Sequence, residues 1–257
     1  MPRSKTAMED VKEEIHSFSA GAYVDLISAL IAKGYSLCGY HEARPEQPHL
    51  ILRHDIDFDL GSAVAMAELE ANQDWHAHYF ILIRTEFYNP LSATGSTWVR
   101  RILELGHTVG LHFDAHLYDP NPATLRRAID EESAVLEKIA NRPVNQFSLH
   151  RPHPEMLDGE FTVPGRVNAY APRYFKDIGY CSDSRGEWRY GHPLDSDAVQ
   201  SRRALQLLTH PLWWMDAAGS PEATVARVLD RRFGTLEHEA DVQCAPYYAR
   251  RETLPRS

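Results

Sequence analysis

Residues 50–60, LILRHDIDFDL, decide how this sequence of 257 residues is interpreted. Three apolar residues begin a buried strand, which then runs directly into Arg53, His54, Asp55 and Asp57. Alternation along an ideal strand would place Asp55 and Asp57 on the same face. Two carboxylates behind a buried strand favour a functional site. The alternative is a structural use, in which they cap the following helix and pair with Arg53.

The rest of the chain alternates predicted strands with predicted helices, which is typical of α/β proteins. The strands are expected over 76–85, 107–113, 144–152 and 179–184, and 204–214 is expected to be a strand that runs into a loop. The clearest helix lies within 121–143, where Asn121 can cap the start and Pro122 suits the first turn. Nearly every predicted strand ends in polar side chains. Because the carboxyl ends of parallel strands meet on one face, we expect a single site there.

Composition and charge exclude several classes of partner. The chain is 43% apolar and 25% charged, with a formal net charge of −9. No run of Lys or Arg stands out, so a nucleic acid partner is not expected. No apolar stretch approaches the roughly 20 residues that span a bilayer, so no membrane partner is expected. Three scattered cysteines and the polar first residues predict a cytoplasmic protein. The oligomeric state is left open.

The segment HFDAH places His112 and His116 four residues apart. On a helical turn, this spacing brings both imidazoles to one side, where they can share a metal ion. Two histidines and one aspartate are a common catalytic metal set, and a second carboxylate can accept a proton from water. One of Asp55 and Asp57 would then bind the metal, while the other would act as the general base.

Four segments together resemble the polysaccharide deacetylase family, also called the NodB homology domain. They are RHDID (53–57), GHTVGLHFDAH (106–116), FSLHRP (147–152) and LLTHP (207–211). The resemblance covers roughly residues 48–215 and implies a distorted (β/α) barrel. We expect a single domain over 1–257, with helices at 18–33 and about 220–240 packed on this core.

The resemblance also implies roles for individual residues. Asp55 would be the base and Arg151 would orient it, while His210 would be the general acid. Asp183, in CSDSRGEW, is the best match for the carboxylate that holds His210. The expected metal ligands are Asp57, His112 and His116, and the expected substrate-binding residues are His150, Trp213, Trp214 and Tyr88. Zn²⁺ is the first choice of metal, with Co²⁺, Ni²⁺, Mn²⁺ or Fe²⁺ as alternatives.

The expected reaction is hydrolysis, in which water activated by the metal removes an N-acetyl or other small acyl group. A cytoplasmic location favours a soluble sugar, a nucleotide sugar or a glycan intermediate as the substrate. One alternative is a hydrolase of a non-sugar amide on the same barrel, because the fold does not determine the substrate. Another is a sugar-binding protein without catalysis, which would be expected to lack one of the catalytic residues.

Overall fold

In a computed structural model, residues 18–158, 161–216 and 219–244 are described. The chain divides into two compact units between residues 217 and 218. The first unit contains all of the strands among the described residues, whereas the second contains one helix. Within these described ranges, no helix is both long and apolar enough to cross a membrane.

The first unit is built on a parallel sheet. Its eight described strands are β1 (Ser36–Leu37), β2 (His49–Ile56), β3 (His78–Leu82), β4 (Thr108–Asp114), β5 (Gln146–His150), β6 (Val167–Asn168), β7 (Gly179–Ser182) and β8 (Leu205–Thr209). They pair in the order β6-β5-β4-β3-β2-β8-β7, with β1 alongside the start of β2. Every pairing is parallel. The predicted α/β barrel architecture is confirmed, and among the described strands it is a half-barrel with β6 and β7 at its two ends.

Helices connect most of the strands, as parallel pairing requires. They are α1 (Ala20–Ala32), α2 (Leu60–Ala71), α3 (Ala93–Glu104), α4 (Pro122–Ala140) and four shorter ones, α5 (Pro154–Asp158), α6 (Pro172–Phe175), α7 (Asp197–Gln200) and α8 (Pro211–Met215). Side chains cap the long helices: Asn121 starts α4 as the sequence predicts, and Ser19, Asp59 and Ser92 start the other three. Each accepts a backbone N–H that would otherwise lack a partner at the helix start.

Strand β2 lies in the middle of the sheet and is buried on both faces. On the helix-facing side, the His54 Nε2 atom lies 2.9 Å from the Glu70 carboxylate. The hydroxyls of Tyr23 and Tyr79 donate to the same carboxylate, which is fully buried. This network joins α1, α2, β2 and β3. It also turns His54 away from Asp55, as strand alternation predicts.

Two stretches differ from the sequence-based expectation. In 204–214, expected to be a strand that runs into a loop, the strand ends at Thr209 and helix α8 follows His210 in place of the loop. The loop-rich stretch 153–172 contains helix α5 and strand β6. These elements have two to five residues, too few for hydrophobic periodicity to show.

The second unit contains helix α9 (Pro221–Gln243). Ser220 caps its start by accepting the N–H of Ala223, and Pro221 occupies the first turn. A helix at about 220–240 is what the sequence predicts, and its packing on the barrel stays a prediction.

Candidate functional site

The end of β2 carries a buried pair of charged side chains on one face of the sheet. Arg53 and Asp55 lie two residues apart on one strand, so both side chains face the same way. The Arg53 Nε atom donates to Asp55 Oδ1 at 3.0 Å, and Nη2 donates to Oδ2 at 2.7 Å. Arg53 is fully buried and Asp55 is 2% exposed. Such a two-pronged contact fixes the carboxylate in one orientation.

Aromatic side chains enclose the cation of this pair. The Arg53 guanidinium carbon lies 4.3 Å from the ring centre of Tyr170 and 5.5 Å from that of Phe80. Both distances allow cation–π attraction, which partly replaces the water lost on burial. Burial would raise the pKa of Asp55, but the Arg53 guanidinium, together with the charges of His112 and His210, outweighs it and the pKa is lowered. Asp55 is therefore held in its ionised form.

Asp57 reaches the rim of the sheet and meets two histidines there. Its Oδ1 atom lies 3.1 Å from His112 Nε2 and 3.5 Å from His150 Nδ1. Among the described residues, these three form the one group of three or more His, Cys, Asp or Glu side chains whose potential ligand atoms all lie within 4.8 Å of one another. Ligand atoms held about 2.0–2.1 Å from a tetrahedral ion are about 3.3 Å apart. Both measured distances are close to that value, and this donor set fits a divalent metal ion.

The charge of Asp57 depends on the same neighbours. Burial would raise the pKa of this carboxyl, but the hydrogen bond with His112 and the charge of His210 lower it well below its usual range. A carboxylate that stays ionised in a buried setting suits a metal ligand, since the ligand form of Asp is the anion.

His210 lies on the other side of Asp57, at the end of β8. Its Nδ1 atom is 2.6 Å from Asp183 Oδ1, and its Nε2 atom is 3.7 Å from Asp57 Oδ2. The fully buried Asp183 also accepts the backbone N–H of His210 and the indole N–H of Trp214. Burial would lower the pKa of His210, but the Asp183 carboxylate outweighs it and raises the pKa to about 9. His210 is therefore a protonated imidazole at neutral pH.

His116 is placed differently from the expectation. Strand β4 continues through Asp114, so residues 112–116 do not form the helical turn that would bring His112 and His116 together. His116 lies in a short 3₁₀ turn, where it is exposed and stacks on His153 at 6.1 Å between ring centres. It is not part of the group of candidate metal ligands. The third member of that group is His150, which the sequence leads us to expect as a substrate-binding residue.

Arg151 also has a different partner from the expected one. Its guanidinium pairs with both carboxylate oxygens of Asp114, with Nε 3.1 Å from Oδ1. The backbone at Arg151 has a φ of +47°, which turns the chain sharply after β5. The sequence leads us to expect that Arg151 orients Asp55, but the side chain paired with Asp55 is Arg53. Arg151 instead ties together the ends of β4 and β5.

The other residues expected to bind substrate, Tyr88, Trp213 and Trp214, mainly contact other groups in the protein interior. Tyr88 donates its hydroxyl to the Ile56 carbonyl at 2.7 Å and accepts the N–H of Leu82 at 2.9 Å, so it joins the ends of β2 and β3. The Trp214 indole N–H donates a hydrogen bond to Asp183. Trp213 is 6% exposed and packs edge-to-face on Phe58, the residue after Asp57.

An open cavity of about 610 Å³ lies beside the candidate metal ligands. Asp57 and His150 line it, and Phe58 and Phe87, whose rings pack edge-to-face, give it an apolar wall. Its other lining residues are Leu82, Ile83, Arg84, Thr85, Glu86, Asp114, Leu117 and Arg151. A second cavity, of about 510 Å³, lies at the amino ends of the strands and contains none of the site residues.

Sequence reasoning gives no role in the site to Arg53 or Ser148. The sequence indicates Arg53 only as a structural partner of Asp55 and Asp57. Strand alternation nevertheless places Arg53 on the same face as Asp55. Ser148 precedes His150 by two residues and so faces the same way. Its Oγ atom lies 2.6 Å from His112 Nδ1 and 3.2 Å from Asp55 Oδ1.

No family model and no curated protein matches this chain. Solved structures do match. A CE4 family pseudoenzyme from Bacillus anthracis is 14% identical with a TM-score of 0.40, and the match covers 73% of this chain and 63% of that one. The chain thus spans less than two thirds of that protein.

Two further solved structures have similar scores. A family 4 acetyl xylan esterase from Clostridium thermocellum, in complex with a cobalt ion, is 17% identical with a TM-score of 0.38, covering 71% of this chain and 84% of that one. The peptidoglycan deacetylase PdaC from Bacillus subtilis is 15% identical with a TM-score of 0.40, covering 82% and 100%. At this level of similarity, the chemistry must be argued from the side chains of this chain.

Proposed function

We propose that this protein is a metal-dependent hydrolase that removes an N-acetyl or other small acyl group from a soluble sugar, a nucleotide sugar or a glycan intermediate. One observation carries the proposal. The three candidate ligands lie between an ionised carboxylate held by an arginine and a protonated histidine held by a buried aspartate. A general base and a general acid therefore flank the place where a metal ion would bind.

Asp57, His112 and His150 would hold the ion, for which Zn²⁺ is the first choice. Two imidazoles and one carboxylate leave coordination positions open, as catalytic zinc sites do. When bound, such an ion polarises a carbonyl group and makes water more acidic. The carboxylate oxygen of Asp57 supplies the negative charge that the two neutral imidazoles lack.

Asp55 and His210 divide the proton transfers between them. Asp55 is ionised, so it can accept a proton from the attacking water. His210 carries a proton on Nε2, which points towards Asp57 and can protonate the leaving amine nitrogen. Arg53 and Asp183 move the two pKa values in opposite directions, as a base and an acid at the same pH require.

The cavity beside the ligands supports a sugar as the substrate. Phe58 and Phe87 offer aromatic surface against which the C–H faces of a pyranose ring can pack. Arg84, Thr85 and Glu86 offer hydrogen bonds for its hydroxyl groups. This combination of an apolar wall with a few polar groups is typical of small-molecule sites.

Metal content by elemental analysis tests the proposal, using the wild type and the variants His150→Ala, Asp57→Ala and His116→Ala. We expect about one divalent ion per chain in the wild type and in His116→Ala, and loss of the ion in the other two. His116→Ala is the matched control, because it removes an exposed imidazole near the same rim. Wild type that binds no Zn²⁺ or Co²⁺ would refute the metal-dependent mechanism.

Acetate release from N-acetylated sugars and nucleotide sugars then tests the reaction. We expect turnover by the metal-loaded wild type and none by Asp55→Asn, which removes the base and keeps its shape. Metal content of the variant checks that Asp57, His112 and His150 still bind the ion. A protein that binds metal but releases no acetate from any of these compounds would contradict the sugar proposal. In that case a non-sugar amide would become the next substrate class to test.

A further inference from the structure

Ser148 occupies a buried position between the candidate metal ligands and the base. It is fully buried on β5, directly opposite His112 in the pairing of β4 with β5. Its Oγ atom lies 2.6 Å from His112 Nδ1 and 3.2 Å from Asp55 Oδ1. One hydroxyl group thus contacts a ligand and the base at the same time.

The Ser148 hydroxyl has one proton, and this fixes which atom donates in each of the two hydrogen bonds. Both carboxylate oxygens of Asp55 accept N–H groups from Arg53, which is the arrangement of a carboxylate that can only accept hydrogen bonds. The single hydroxyl proton of Ser148 is therefore donated to Asp55. The Ser148 oxygen can then only accept from His112, so the His112 Nδ1 atom carries a proton.

This tautomer has a consequence at the other nitrogen of the ring. A neutral imidazole that is protonated on Nδ1 presents a lone pair at Nε2. The Nε2 atom lies 3.1 Å from Asp57 Oδ1, within hydrogen-bonding distance. With a metal ion in place of the Nε2 proton, the imidazole would be neutral, and its lone pair and the carboxylate oxygen would face the same point. Two acceptors that face each other in this way suit a cation shared between them.

We propose that Ser148 is a positioning residue that holds His112 in the tautomer needed for metal binding and links this ligand to the base. The inference rests on the proposed function, because it assigns His112 as a metal ligand. The second hydrogen bond of a metal-binding histidine fixes the orientation of its ring, and loss of the partner commonly weakens metal binding. A serine that only fills space between two strands would have no such effect.

The test compares Ser148→Ala with Ser148→Thr, which keeps the hydroxyl, and with Ser133→Ala. Ser133 is also fully buried, but it lies on helix α4 and its Oγ atom has no hydrogen-bond partner among the described residues. Zn²⁺ affinity is measured by competition with a chelating dye. The visible absorption spectrum of bound Co²⁺ reports the coordination of the ion. Thermal unfolding of the metal-free proteins shows whether each variant folds.

We expect Ser148→Ala to bind Zn²⁺ about 10–100-fold more weakly, with an altered Co²⁺ spectrum. Ser148→Thr and Ser133→Ala should bind within about threefold of the wild type, well below that loss. If Ser148→Ala does not fold, Ser148→Cys, a weaker hydrogen-bonding group of similar size, should show the same loss of affinity.

Two results would overturn the inference, and they differ in what they say about the proposed function. Wild-type affinity and an unchanged Co²⁺ spectrum in Ser148→Ala would refute the role of Ser148 alone, and the metal site would stand. Wild type that binds neither Zn²⁺ nor Co²⁺ would refute both, because His112 would then have no ion to bind.

Discussion

The ion pair between Arg53 and Asp55 lies entirely inside the protein, where an unpaired charge is costly. Replacing Arg53 with Met would leave the Asp55 carboxylate buried without its main partner. We expect the free energy of unfolding to fall by about 3–5 kcal/mol, the usual result of breaking a buried pair from one side. Urea denaturation of the metal-free protein measures this change.

The double variant Arg53→Met with Asp55→Asn is the control for that loss. It removes both charges, so much of the lost stability should return. Equal stability of the single and the double variants would show that the buried charge is not the cause. In either case the proposed hydrolysis should be lost, because the proposed base or its orientation is missing.

Residues differ in how far the sequence reveals their roles, and the reason is physical. The shared face of Asp55 and Asp57 follows from strand alternation, which is a local property. The separation of His116 from the group of Asp57, His112 and His150 depends on where β4 ends, because a spacing of four residues gives different directions in a strand and in a helix. The partner of Arg151 depends on a backbone turn with a positive φ, and the sequence does not predict a positive φ at an arginine.

Helix α3 begins against the loop that precedes it, and one glycine allows this close approach. A Cβ atom at Gly95 would lie 2.2 Å from the Asn89 carbonyl oxygen and 2.9 Å from the Pro90 Cα atom. Both atoms belong to the backbone and cannot move away cheaply. We expect Gly95→Ala to lower the free energy of unfolding by about 1–3 kcal/mol, as overpacking does.

Gly21 on helix α1 provides the matched control for this prediction. A Cβ atom there would meet nothing within 4 Å. Gly21→Ala should therefore raise the free energy of unfolding by about 0.5–1 kcal/mol, because alanine loses less backbone freedom in a helix. Urea denaturation of the two variants should give changes of opposite sign. A stabilising Gly95→Ala would contradict the contact described for α3.

The order of the elements is more predictable from sequence than their exact ends. Apolar runs such as 50–52 and 79–82 identify strands that are buried on both faces, which parallel sheets require. The long helix α4 is identified by its cap and its periodicity. Whether the sheet closes into a full barrel is not a local property, since it depends on the tilt and stagger of all strands together.

The stability of the whole protein should depend on pH through His78, which begins β3 and is 5% exposed. Burial, followed by the nearby His76, lowers the pKa of His78 to about 3. In the unfolded chain the pKa of a histidine is about 6.5. Between pH 6.5 and 3 the unfolded state therefore binds a proton that the folded state does not, so the free energy of unfolding falls as the pH decreases.

The contribution of His78 should reach about 1.4 kcal/mol for each pH unit within this range. Urea denaturation from pH 7 to pH 4 measures it, with His78→Gln as the control that removes the titrating ring. We expect the variant to lose stability less steeply as the solution is acidified. Parallel curves for the two proteins would show that His78 does not titrate as described.

Because side chains alternate along β2, an error in the pairing of this strand would move all of its inward-facing groups at once. Arg53, Asp55 and Asp57 share one face, while His54 serves the opposite side. A slip of one residue in strand pairing would turn all three inward groups outward together and bring His54 in. Such a slip could therefore not displace Asp55 while keeping Asp57 in place. If the proposed metal site exists, molecules with this error would form a separate fraction that binds no metal, rather than a uniformly weakened site.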